Sequence, residues 1–96
     1  MTDRELLEAA AKAAGLSGRG TWDDKWGCLT DYECWTFDPL EDDGDALRLA
    51  VELSIFTTPE FYHYKSLSLF GTRDHDPCAA TRRAIVRAAA EIGKGL

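Results

Sequence analysis

The sequence predicts an α+β fold, with about three helices packed on one face of a three-stranded antiparallel sheet in the order α-β-α-β-β-α. Three observations carry this expectation. Apolar residues recur at helical spacing near both ends and in the middle of the chain, each time behind a capping residue. Two intervening stretches, 28–37 and 61–70, are rich in residues that favour strands. Ninety-six residues with 45% hydrophobic content suffice to bury roughly two thirds of the unfolded surface around one core, so residues 1–96 read as a single acidic α+β domain.

Thr2 to Ala14 reads as the first helix. Thr2 and Glu5 fit a capping box, and Leu6, Leu7, Ala10, Ala13 and Ala14 share one face. Gly15 supplies the left-handed position after the helix and Leu16 the apolar contact beyond it. Residues 17–27 read as a glycine-punctuated loop with a short extended piece. Its Trp22 and Trp26 read first as a lid on the core, because an indole carries a large apolar area. A binding surface is the alternative, since Trp is enriched at interface hot spots. Cys28 to Phe37 reads as an edge strand, neither face being cleanly apolar.

Asp38-Pro39-Leu40 makes a turn into a second helix over Asp43 to Ser54, with Asp42 as its N-cap. Ala46, Leu47, Leu49, Ala50, Val51 and Leu53 leave it only a narrow polar stripe, which predicts a central helix packed from several sides. Ile55 to Thr58 reads as extended, Pro59-Glu60 as a turn and Phe61 to Phe70 as a strand, together a hairpin. Asp76 caps the last helix, with Pro77 at its first position. That helix is expected to end at Gly93, to bury Cys78, Ile85, Ala88, Ala89 and Ile92, and to turn Arg82, Arg83 and Arg87 outward.

Composition excludes several classes of function. A formal charge of −6 argues against direct binding of nucleic acid, which needs a basic face. No apolar run approaches the length of a membrane span. The charged, amphipathic MTDRELLEAA lacks the apolar core of a secretory signal. A reducing cytoplasm is therefore expected, with Cys28, Cys34 and Cys78 as free thiols.

Site chemistry is sparse. Setting Gly44 at the sixth position of a calcium loop puts Pro39 at the first and Ala50 at the twelfth, where Asp and Glu are needed. Cys28, Cys34, Cys78, His63 and His75 contain no C-x₂-C pair for zinc. No nucleophile elbow, P-loop or dinucleotide fingerprint is present. The sequence thus predicts no metal, no cofactor and no enzymatic activity. What remains is charge. Asp23, Asp24, Asp31, Glu33, Asp38, Glu41, Asp42, Asp43 and Asp45 are nine of the chain's seventeen acids, and Lys25 is the only base among them. Gathered on one surface, they would attract a basic groove and imitate a phosphate backbone. The plainer reading is a solvated loop with capping acids. Asp23, Asp24, Asp38, Glu41, Asp42, Asp43 and Asp45, with Trp22 and Trp26, are the candidate partner-binding residues. Arg82, Arg83 and Arg87 are a secondary basic face, solvated or docked on an acidic surface such as that of a second copy.

Residues 35–53, WTFDPLEDDGDALRLAVEL, resemble a W-x-P-L-x-D-D-G-D-A-L-R-L-A-V segment of small phage and prophage proteins. Residues 76–93, DPCAATRRAIVRAAAEIG, resemble the C-terminal helix of the same proteins, and the opening ELLEAAAKAAG is similar to their first helix. An extra Thr-Phe between Trp35 and Pro39 departs from the pattern, and residues 54–75 have no counterpart. No catalytic residues carry over. The resemblance implies a phage protein acting in the cytoplasm of a bacterial host. Small acidic proteins of that setting are often anti-defence inhibitors, including anti-CRISPR proteins. The expected role is a non-enzymatic inhibitor that binds a host defence or nucleic-acid-handling protein with a basic surface. One alternative is a binder of a nucleotide signal through Trp22, Trp26, Tyr62 and Tyr64 with Arg73, Arg82 and Arg83. Another is a structural or oligomeric accessory protein, for example a homodimer.

Overall fold

Thr2 opens helix α1 (Asp3–Ala13), its hydroxyl accepting from the Glu5 amide at 3.2 Å and donating to the Glu5 carboxylate. The computed structural model describes residues 2–16, 20–30, 35–64 and 76–95. α1 ends as its sequence predicts. Gly15 takes φ +77°, its amide donates to the Lys12 carbonyl, and the Leu16 amide donates to the Ala11 carbonyl at 2.8 Å. This pair of bonds is the Schellman motif, and glycine adopts its left-handed position without strain from a side chain. The buried face is Leu6, Leu7, Ala10 and Ala11. Ala11 replaces Ala13 and Ala14, which are only half-buried.

The sheet lies earlier in the chain than expected. Strands β1 (Thr21–Asp23), β2 (Cys28–Thr30) and β3 (Thr36–Phe37) form an antiparallel meander in that order. Trp22 pairs with Leu29, and Leu29 with Phe37. The stretch 28–37 is therefore not one strand, because its two ends pair with each other. Leu29 and Phe37 are both buried, and β2 lies against α1.

Helix α2 (Asp43–Glu52) starts as expected, with Asp42 accepting from the Gly44 amide at 2.9 Å. Ser54 then takes a left-handed conformation at φ +52°, and Ile55–Thr57 form a 3₁₀ turn instead of an extended segment. Residues 59–64 are helical and are here α3. The expected strand 61–70, and with it the expected hairpin with 55–58, is thus overturned over 61–64. Its remainder, 65–70, lies outside the described residues. The reason is local: the Thr58 hydroxyl accepts from the Phe61 amide, and Pro59 occupies the first helical position. Thr-Pro-Glu is an N-cap signal as much as a turn signal.

Helix α4 (Pro77–Lys94) is capped by Asp76, whose carboxylate accepts from the Cys78 and Ala79 amides at 3.0 and 3.1 Å. It passes through Gly93 rather than ending there. A Cβ at 93 would overlap the Ala9 carbonyl oxygen and stand 2.8 Å from its carbon. Gly93 is thus a point of close approach between α1 and α4, not a terminator. α4 buries Ala80, Ala84, Ile85, Val86, Ala88, Ala89 and Ala90 and packs on both α1 and α2. It is the central helix, a place that the sequence had assigned to α2. Leu47 and Val51 of α2 are exposed, and so is Cys78.

The described residues therefore form four helices, a 3₁₀ turn and a three-stranded antiparallel sheet, in the order α-β-β-β-α-α-α. The α+β class stands, and the order is corrected. Among them no helix is long and apolar enough to cross a membrane.

Candidate functional site

The β1–β2 hairpin turns over Asp24, Lys25, Trp26 and Gly27, closed by the Gly27 amide on the Asp23 carbonyl at 2.8 Å. Asp23 holds the turn from its side chain, one oxygen accepting from the Lys25 and Trp26 amides at 2.9 and 3.3 Å. Trp22 and Trp26 part company here. Trp22 is half-buried against the core, donates its indole N–H to Asp24 at 2.7 Å and lies under the Arg4 guanidinium. Trp26 is 67% exposed, with the Lys25 ammonium 5.6 Å from its ring centre. Trp22 is the lid of the plainer reading, and Trp26 alone is available to a partner.

The acids of 38–45 do structural work as well. Asp45 bridges two elements: one oxygen accepts from the Asp38 amide at 3.0 Å and the other pairs with Arg48. Asp42 is the N-cap. Asp43 accepts from Arg82 at 2.6 Å, and the same guanidinium donates its Nε–H to the carbonyl of buried Leu40 at 2.9 Å. Arg82 thus clamps the turn before α2 onto α4. Its side chain is 14% exposed, whereas that of Asp43 is 77% exposed.

Electrostatics show how these acids are gathered. Burial raises the Asp38 carboxyl above the ordinary range, and Glu41, Asp45 and Asp42 raise it further. The buried Cys28 thiol is also raised, first by burial and then by Asp38, Asp23 and Asp45. One acid from the hairpin, one from the turn before α2 and one from its first turn therefore act on the same thiol. Such a thiol is held protonated and is a poor nucleophile. Beyond it, Arg82 is raised by its bond to Asp43, with Asp76 and Glu41 adding to the effect. Asp76 joins the acids only through the fold, since in the sequence it is visible just as a cap. Asp24 sits apart, beside Trp22 and Arg4. Asp31 and Glu33 lie outside the described residues.

The arginines of α4 do not share one outward face. Arg82 goes to Asp43 and Leu40. Arg83 pairs with Asp3 of α1 at 3.2 Å, and the Arg87 guanidinium lies 4.4 Å over the Tyr64 ring. Arg83, Arg87, Lys94 and Tyr64 line a cleft of about 320 Å³. In it the Tyr64 hydroxyl donates to Glu91 at 2.9 Å, which lowers the Glu91 carboxyl below its usual range; the phenol is raised, first by burial and then by this bond.

Among the described residues, no three His, Cys, Asp or Glu side chains are arranged to hold a metal ion. His63 is exposed, its ring 5.2 Å from that of Tyr64. Cys34 and His75 lie outside the described residues. No family model, curated protein or solved structure matches the chain.

Proposed function

We propose that this protein is a non-enzymatic, phage-encoded inhibitor that covers a basic surface of a host nucleic-acid-handling or defence protein. One observation carries the reading. Acids from separate segments (Asp23 of β1, Asp38 after β3 and Asp45 in the first turn of α2) act on the same buried thiol, Cys28, and the exposed Glu41, Asp42, Asp43 and Asp76 follow at the starts of α2 and α4. Asp42 and Asp76 are held by the backbone amides they cap and Asp43 by Arg82, so these three lose little side-chain freedom on binding. A negative ridge on a chain of charge −6 speeds encounter with a basic groove and excludes acidic partners.

The structure dictates how to test this. Asp42, Asp43 and Asp45 cap, clamp and bridge, so reversing their charge would break α2 together with any binding. Glu41 is exposed and suits reversal, and Asn at 42 keeps the cap while removing charge. The tagged protein should retain from a bacterial lysate a nucleic-acid-binding protein that elutes at high salt and whose DNA or RNA binding it competes away. Glu41→Lys with Asp42→Asn should lose that partner without lowering the unfolding midpoint. Equal capture by the variant, or capture indifferent to salt, would sink the acidic-ridge reading.

A second reading has its own observation. Tyr64 and Arg83 share the α1–α4 cleft with Arg87 and Lys94, a set suited to an aromatic anion such as a nucleotide. A ligand at one hundred times its Kd would stabilise the chain by about 2.7 kcal/mol. A thermal-shift panel of nucleotides is therefore decisive, and a flat panel removes this reading.

A further inference from the structure

Leu47 and Val51 lie one turn apart on α2, and they are 56% and 66% exposed. Phe56 of the 3₁₀ turn is 41% exposed and stands edge-on to buried Phe61. Leu47 and Phe56 form one wall of an open groove of about 320 Å³ between α2 and α4, with Pro77 and Cys78 on the other side and Ile85 as floor. Apolar side chains gathered along one groove, rather than scattered singly, mark a candidate contact site.

Charge identifies the occupant. At the mouth of the groove Asp43 is exposed, and Asp76 precedes the Pro77 and Cys78 that line it. The one cation there, among the described residues lining the groove, is Arg82, already bonded to Asp43 and surrounded by Asp76 and Glu41. The mouth is therefore net negative. A second copy would bring the same acids and another −6, and like charges face each other at such a contact. An aliphatic floor between two helices, with an acidic end, suits a partner helix whose apolar anchors recur at i, i+4 and i+7 and are flanked by bases.

We infer that the α2–α4 groove docks a basic amphipathic helix of a partner protein. The mouth shares Asp43, Asp76 and Glu41 with the acidic ridge, but the apolar wall and floor lie outside it, and the groove does not require the ridge to bind anything.

The test is a fluorescence-anisotropy titration with a labelled synthetic helix carrying Leu at i, i+4 and i+7 and Lys at its flanks. A scrambled peptide of the same composition, and one with Glu for Lys, are the controls. Leu47→Gln with Val51→Gln leaves the charge unchanged, so it reports on the wall residue Leu47 and on Val51 one turn away on α2 without a charge effect. The basic helix should bind, and both control peptides and the double variant should weaken binding by about tenfold or more. Equal binding of the scrambled peptide would reduce the effect to charge attraction and overturn the site. So would a lowered unfolding midpoint in the double variant, which would mean that the chain itself covers this face. Light scattering that shows a dimer dissolved by the same two substitutions would assign the groove to a second copy instead, and would also overturn it.

Discussion

Helix α4 is made largely of alanine and arginine, and helix α2 of leucine, alanine and acids, yet α4 lies deeper. α4 buries seven apolar side chains and Gly93 between α1 and α2, whereas α2 buries Ala46, Leu49 and Ala50 and leaves Leu47 and Val51 in solvent. The difference separates two properties that are easily merged. Hydrophobicity favours burial of a face somewhere. Side-chain size decides how near two helix axes come, and only small residues let a helix be packed on two sides at close range. Gly93 against the Ala9 carbonyl is the extreme case of that approach.

The comparison can be broken most forcefully at Gly93. Gly93→Val drives a branched side chain into the α1 backbone and should cost at least about 3 kcal/mol, the upper part of the overpacking range. The urea midpoint measures it, and an unchanged midpoint would mean that the α1–α4 seam is not close. The next test divides α2 into its two faces. Leu49→Ala should cost about 2–4 kcal/mol through lost burial and a cavity, whereas Leu47→Ala should stay within about 0.5 kcal/mol. Equal losses would erase the distinction between covered and open faces.

The smallest effect concerns the approach to α2. Asp38 is held above the ordinary carboxylate range by burial and by Glu41, Asp45 and Asp42. The folded chain therefore binds this proton more tightly than the unfolded chain does. Stability contributed by Asp38 is present below its unfolded value and falls as pH rises through the folded one. Asp38→Asn keeps the shape without the charge. It should be more stable than the parent at neutral pH, with the difference shrinking in acid. Urea midpoints across the acid range measure this, and a pH-independent difference would place the cause elsewhere.

Some of the candidate site was legible in the sequence and some was not. The density of acids in 23–45 was plain, and so was the capping role of Asp42. That Asp45 ties down the Asp38 amide, or that Arg82 reaches Leu40 and Asp43 across roughly forty positions, was not, because nothing in local spacing encodes a partner so distant. The same holds for Arg83 and Arg87, which were grouped with Arg82 by helical spacing but turn to Asp3 and Tyr64 instead. The missed helix 59–64 is a different kind of error. Its cap was visible in Thr58 and Pro59, but the aromatic run after it favours strands by intrinsic preference, and that preference yields readily to context.

The sequence by itself determined where three helices begin and how the first one ends. Thr2, Asp42 and Asp76 accept amides within three residues, and Gly15 needs only its own left-handed backbone, so these choices are complete within one turn of chain. Tertiary structure decided the rest: which helix is central, that Cys28–Thr30 pairs with Thr36–Phe37, and which side of α2 stays open. Each of these depends on backbones and side chains far apart in sequence competing for the same space around one core, and periodicity along a single helix or strand cannot say which competitor wins.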